Sequence, residues 1–216
     1  MPGAIGDADV TSGTDFRAGT YILSETGEIA GYSASAWVCT GTGSQSGASI
    51  SLDPGESAVC AITNDDIAPV LRLVKTIVNN DDGTSTDPNA FGLRIDGELV
   101  SNNVFYELEA GNHLASEDGL PGYRPGFWGG DCGSDGSITL SVGQEATCTI
   151  TNDDIAPTLI LVKTVVNDNG GTLTADDFPA SIDGNPVAWG ASQALVAGPH
   201  SVAETPQTGY SASSWG

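Results

Sequence analysis

The chain repeats itself, and that constrains it more than any other feature. "AVCAITNDDIAPVLRLVKTIVNNDDG" (58–83) returns as "ATCTITNDDIAPTLILVKTVVNDNGG" (146–171), with Cys60 and Cys148, Asn64 and Asn152, and Lys75 and Lys163 each 88 positions apart. A second segment occurs three times, as "YILSETGEIAGYSASAW", "HLASEDGLPGYRPGFW" and "HSVAETPQTGYSASSW", ending at Trp37, Trp128 and Trp215. Self-similarity at this period means an array of like modules, each with its own core. One complete module spans 67–154. Residues 1–66 read as a partial module lacking its opening strand, and 155–216 as one lacking its closing strands. "MPGAIGDADV" aligns with "FPASIDGNPV" (178–187), Met1 on Phe178 and Ile5 on Ile182. The expectation is a window onto a longer tandem array. The rival is a subunit whose neighbours complete its end modules head to tail by strand donation.

Within a module the local signals are those of strands. "TLILVKTVV" and "SITLSVGQEATCTIT" are rich in β-branched residues and bounded by Gly, Asn and Asp. Asn79 to Gly83 and Asn167 to Gly170 supply turn chemistry at matching places. No segment combines a helical period with caps. An all-β unit of this size, with turn signals every 8 to 12 residues, reads as an immunoglobulin-like β-sandwich, so the predicted fold is a tandem of such sandwiches.

Charge excludes whole classes of partner. Six basic residues face 28 acidic ones, a formal charge of −22. With so few cations there is nothing to displace counterions from nucleic acid, nor to hold an anionic membrane surface. Such a balance suits a soluble surface that repels its own copies, or one that collects divalent cations. Hydrophobic residues make up 39% of the chain, enough to build cores. No apolar run approaches the length of a membrane span. "MPGAIGDADV" has neither the basic start nor the apolar stretch of a secretory leader, a point without weight in a window of a longer chain.

Four cysteines fall as two pairs in matching places, Cys39 with Cys60 and Cys132 with Cys148. Each pair brackets a hairpin, so one disulfide per unit in an oxidising compartment is expected. Zinc and free buried thiols are the alternatives. The spacing is wide and no His accompanies the pairs, which weighs against zinc.

The two lysines of the chain, Lys75 and Lys163, occupy one repeat position. In the strand "LRLVKTIV", Leu71, Leu73, Lys75 and Ile77 share a face, and Arg72, Val74, Thr76 and Val78 share the other. Lys163 likewise stands in register with Leu159, Leu161 and Val165. A lysine placed among leucines needs a partner or must lose its proton.

These pieces, "LRLVKTIV", "AGNHLASEDGLPGYRP" and "ATCTITN", resemble the prealbumin-like domains of bacterial surface proteins, the B-type repeats of collagen adhesins and pilins. In such domains Lys and Asn on neighbouring strands can join as an intramolecular isopeptide bond, assisted by Glu. Carried over by position, the resemblance implies Lys75, Glu117 and Asn152 for the complete unit. Glu25 and Asn64 are their counterparts in the first unit, Lys163 and Glu204 in the third. The chemistry is sensible: burial disfavours the charged amine and leaves a nucleophile, while a glutamate in its acid form relays the proton as ammonia leaves. The sequence departs from the pattern after two of the glutamates: Glu117 is followed by Asp118 rather than by the Thr-Pro seen at Thr205-Pro206, and Glu25 by Thr26-Gly27; the disulfides are also unusual for that family. A lysine snorkelling to the sandwich edge and salt-bridged to Glu is the alternative.

"ITNDDIAP" resembles the acidic linkers between cadherin repeats, where Asn and Asp hold calcium. Asp65, Asp66, Asp153 and Asp154 are candidate ligands for Ca2+ on that reading. The alternative is a plain turn ended by Pro69 and Pro157.

His113 and His200 share one repeat position, which Tyr21 fills in the first unit. That tolerance suits packing or strand pairing rather than catalysis. The recurring tryptophans read as core or disulfide-shielding residues. No phosphate loop, nucleophile elbow or zinc motif is present. Every distinctive residue recurs once per unit, as in a structural module and unlike a single active site. The expected function is an extracellular adhesin stalk or surface filament, not an enzyme, whose partners are like repeats of the same or neighbouring chains. The alternative is a module that binds a host protein or glycan through the 101–109 stretch and the Trp189 loop. An accessory module beside a catalytic domain elsewhere on the parent chain is a third reading.

Overall fold

A computed structural model describes residues 16–27 and 29–216. The alignment of the first ten residues on the third unit lies outside them. The first unit contributes β1 (Gly19–Ile22), β2 (Tyr32–Ala34), β3 (Val38–Gly41), β4 (Ser44–Ser46), β5 (Ser49–Leu52), β6 (Ala58–Ala61) and β7 (Asn64–Asp66). The middle unit contributes β8 (Val70–Val78), β9 (Leu93–Ile95), β10 (Glu98–Leu99), β11 (Tyr106–Glu107), β12 (Gly111–Glu117), β13 (Tyr123–Pro125), β14 (Gly129–Gly130), β15 (Ser137–Leu140) and β16 (Glu145–Asp154). The third follows with β17 (Thr158–Ile160), β18 (Ala180–Ile182), β19 (Asn185–Val187), β20 (Ser192–Ala194) and β21 (Val202–Glu204). The chain is all-β, as its sequence implies.

The middle unit is a sandwich of two sheets, ordered β10-β9-β12-β15 and β11-β8-β16-β13, with β14 also paired to β16. Its first and last strands, β8 and β16, lie side by side and parallel, with Lys75 opposite Ile150 and Asn152 opposite Ile77. Alternation does the sorting: Leu71, Leu73 and Lys75 of β8 point inward with Ala146, Cys148, Ile150 and Asn152 of β16. The inward residues meet Leu93, Ile95, Ala115, Ile138 and Leu140 of the opposing sheet in one apolar core.

The same strand sequence fares differently in the third unit. There β17 ends at Ile160, although burial still alternates through Leu161, Lys163 and Val165. β8 is held over nine registers by a parallel partner; among the described residues β17 pairs only with β20. Strand length here is a property of the partner, not of local propensity.

Two short 3-10 helices, Pro88–Phe91 and Ala175–Asp177, contradict the expectation of no helical segment. Asp87 caps the first by accepting from the amide of Asn89, and Pro88 presets its opening turn. They deliver Phe91 and Phe178 into the interior, where both are buried.

The joints are pinned by backbone bonds. Ile67 donates its N–H to Gly31 O at 2.7 Å and accepts from Gly143 N at 2.6 Å, thereby touching the units on both sides. Ile155 repeats the first bond to Gly122 O at 2.9 Å. Gly31 (φ 86°) and Gly143 (φ 69°) meet so closely that a Cβ on Gly143 would lie 2.8 Å from Gly31 Cα. Only glycine fits that contact.

Candidate cross-link site

β8, β12 and β16 each deliver one polar side chain to the same point of the middle unit's core. Lys75 is 5% exposed and Asn152 wholly buried. Lys75 Nζ donates to Glu117 Oε2, while Asn152 Nδ2 donates to Glu117 Oε1 at 2.7 Å. Glu117 therefore stands between amine and carboxamide, a carboxyl oxygen on each. Asn152 Oδ1 has no hydrogen-bond partner among the described residues, although it is buried. An orphaned buried carbonyl of this kind costs stability and asks for an explanation.

Phe91 closes the site, with Lys75 Nζ 4.3 Å from its ring centroid. The ring packs edge-on against Tyr123, with centroids 5.3 Å apart. Burial lowers the pKa of Lys75, and the opposing effect of Glu117 does not restore it. An amine held this way is closer to its nucleophilic, neutral form than a surface lysine.

The third unit copies half of this arrangement. Lys163 Nζ donates to both oxygens of Glu204 at 2.8 and 2.7 Å and lies 4.5 Å from the Phe178 ring centroid. The first unit copies the other half: Asn64 Nδ2 donates to Glu25. All seven residues assigned by position thus fall into contact with their assigned partners. The aromatic lid was missed, although Phe91 and Phe178 recur in the repeat. The residue after Glu117 is explained too, because Asp118 holds Arg94 in a bidentate pair at 2.9 and 2.8 Å.

Both expected disulfides are present, Cys39–Cys60 and Cys132–Cys148. Cys39 and Cys60 sit directly opposite on β3 and β6, and Cys148 lies inside the main core. Trp128 packs on that core. Trp215 is instead half exposed and stacks on Trp189 at 6.2 Å; Trp189 gives its indole N–H to Phe178 O at 2.8 Å.

The joint aspartates lie in two places, Asp65 and Asp66 at one joint and Asp153 and Asp154 at the next. Asp65 and Asp66 are exposed on β7, whereas Asp154 is buried and turned towards the 80–83 turn. No group of three or more His, Cys, Asp or Glu able to hold a metal forms among the described residues. The physical reason lies in the donors: Asp154 accepts from three backbone amides, which leaves its oxygens engaged.

His113 and His200 form a repeated clamp. Nδ1 of His113 meets Asp96 at 2.7 Å and Nε2 meets Glu109 O at 2.8 Å. His200 does the same with Asp183 at 2.6 Å and Val196 O at 2.8 Å. Both ring nitrogens face acceptors, so only the imidazolium satisfies them. In the middle unit the position lies on a paired strand, His113 opposite Ile138; His200 stands just ahead of β21.

A parallel first and last strand, a two-sheet sandwich and a Lys-Glu-Asn cluster between the sheets define a structural module of the prealbumin-like class. The chain belongs to the prealbumin-like fold domain family, whose model matches it in three tandem segments, 2–62, 66–150 and 154–216. No curated protein and no solved structure matches it.

Proposed function

We propose that this chain is part of an extracellular adhesin stalk or surface filament whose modules are tied internally by covalent bonds. One observation carries the reading: a single carboxyl, that of Glu117, touches both the Lys75 amine and the Asn152 carboxamide at the edge of an apolar core. A salt bridge alone gives no role to a wholly buried asparagine with an orphaned carbonyl. In the reaction, the Lys75 amine attacks the Asn152 carboxamide carbon, and the C–N bond to Nδ2 breaks. Glu117 takes the proton from Nζ and hands one to the leaving nitrogen, so that one amide forms and one ammonia departs. Removing water from the site strengthens each of these contacts.

The mechanical consequence follows from topology. Tension enters the middle unit through β8 and leaves through β16, which are neighbours and parallel. A bond between Lys75 and Asn152 joins entry to exit, so the chain between them is never stretched. The Cys39–Cys60 bridge shortens the extensible chain of the first unit, and the pinned joints transmit force from module to module. The disulfides suit an oxidising, extracellular setting. The partners on this reading are like repeats.

Intact-mass measurement of the full chain tests the proposal. A mass short of the disulfide-bonded sequence by one ammonia supports it, because only the middle unit holds all three residues. An unshortened mass sinks it.

A second reading has one observation in its favour. Phe127 is 86% exposed and has no aromatic counterpart at Ala36 or Ser214 in the other units, which suits recognition of a glycan or protein by the middle unit. A glycan array with wild type and Phe127→Ala decides it, since a plain stalk retains nothing.

A further inference from the structure

Alternation of side chains specifies the register of β16 against β8 only in part. A one-residue slip turns every core residue outward and is forbidden by the core itself. A two-residue slip keeps Ala146, Cys148 and Ile150 facing inward, yet carries Asn152 roughly 6.6 Å along the strand and off its contact with Glu117. Something must exclude even slips.

The disulfide from Cys148 holds one end of β16. Asp154 holds the other. It is the last residue of the strand, 5% exposed, and shares the inward face with Asn152. Oδ1 accepts from Asn80 N at 2.9 Å, and Oδ2 accepts from Asp81 N at 2.9 Å and Gly83 N at 2.6 Å. Converging amides of this sort form an anion cradle. Burial works to raise the Asp154 pKa, but the three amides outweigh it and hold it below the ordinary carboxylate value. The turn is shaped around the carboxylate. Asp82 takes φ 62°, and a Cβ on Gly83 would sit 2.8 Å from Asp154 Oδ2. Tyr123 fastens the same turn from behind, its hydroxyl accepting from Ser85 N at 2.9 Å and donating to Asn79 Oδ1 at 2.6 Å.

We propose that Asp154 is a positioning residue for the Lys75–Asn152 link, its carboxylate clasped by the 80–83 turn so that β16 stands in the one register that sets Asn152 beside Glu117 and Lys75. The proposal rests on the cross-linking reading above and extends it to a residue that touches none of the reacting atoms.

The test uses the full chain as wild type, Asp154→Asn, Lys75→Ala and the Lys75→Ala/Asp154→Asn double variant. Ammonia loss is followed by mass in freshly synthesised chain, from its first folding onwards, and amide hydrogen exchange is read along β16. Asp154→Asn keeps the shape but presents an amide to the cradle's donors. The expected result is ammonia loss slowed on the order of 10- to 100-fold, as for a reacting group slightly misplaced. In the Lys75→Ala background, where no bond can form, the added substitution speeds exchange at Ile150 to Asp153 and leaves Glu145 to Cys148 unchanged. Equal rates and equal exchange overturn the proposal. Uniformly faster exchange along the strand overturns it too, since that marks general destabilisation. If wild type itself loses no ammonia, the cross-linking reading falls and with it any role in bond formation. The exchange pattern of the Lys75→Ala pair then shows separately whether the clasp sets the register.

Discussion

Nδ2 of Asn152 lies 2.7 Å from Oε1 of Glu117, although the residues are 35 positions apart and sit on facing sheets of the sandwich. The contact joins the last strand of the module to β12, which carries Glu117. On the proposed cross-linking reaction it aims the leaving nitrogen at the carboxyl that would protonate it. Glu117→Gln keeps this shape but cannot relay a proton. Its mass is expected to show ammonia retained, where wild type has lost it. Lys75→Ala likewise retains ammonia, and it strands a buried carboxyl, at a cost of about 3–5 kcal/mol. Intact mass and thermal melting check both.

Phe91 covers the amine at 4.3 Å and is fully buried. Phe91→Ala is expected to destabilise the middle unit by about 3–5 kcal/mol. Phe91→Leu restores most of the volume but no ring face, so it should melt closer to wild type while forming the bond more slowly. Melting and mass measured on the same samples separate packing from chemistry.

The Cys132–Cys148 bridge closes a loop with a sequence separation of 16, for which chain-entropy reasoning gives about 3 kcal/mol. Replacing both cysteines by alanine should lower the middle unit's melting temperature by roughly 12–24 °C, at about 4–8 °C per kcal/mol. A strong reductant should reproduce the shift in wild type and leave the middle unit's melting in the double variant unmoved, since Cys39–Cys60 lies in the first unit.

The histidine clamps give stability a pH window. Hydrogen bonding to Asp96 raises the His113 pKa above 6.5, and Asp183 does the same for His200. Their contribution is complete below 6.5 and is lost as pH rises through the raised folded values. Asp183 is depressed by His200 and by the Ser201 amide; Asp96 is depressed by His113 and Leu114 despite its burial. That part is present above the ordinary value of 3.8 and is lost as pH falls through the depressed values. Melting temperature is therefore expected to peak between these limits. His113→Gln/His200→Gln should flatten the alkaline side of the profile.

Calcium should do nothing at the joint. Asp154 is engaged by backbone amides, and Asp65 and Asp66 remain exposed. Melting curves with millimolar calcium and with chelator should superimpose; a rise in melting temperature with calcium would restore the aspartates as ligands.

The repeat, the strand alternation and the pairing of cysteines were legible in the residues themselves because each is a pattern along one dimension. Lys75 could be placed on a buried face by counting in twos, and Glu117 and Asn152 followed from resemblance at matching positions. Phe91 leaves only a faint trace in the repeat, since a lone Pro88-primed 3-10 turn has too short a period to announce itself. Asp154 could be read as a calcium ligand or as a turn residue, because acidic side chains at a linker carry no mark of what they face.

Sequence alone determined that this protein is a string of like β modules, because apolar period, turn residues and self-similarity are local properties. Tertiary structure decided the rest. Placing the first and last strands side by side and parallel is a long-range choice, and only that choice turns a lysine, a glutamate and an asparagine from three separate strands into neighbours. The same choice cups the amides of Asn80, Asp81 and Gly83 around Asp154, a contact that no local pattern announces.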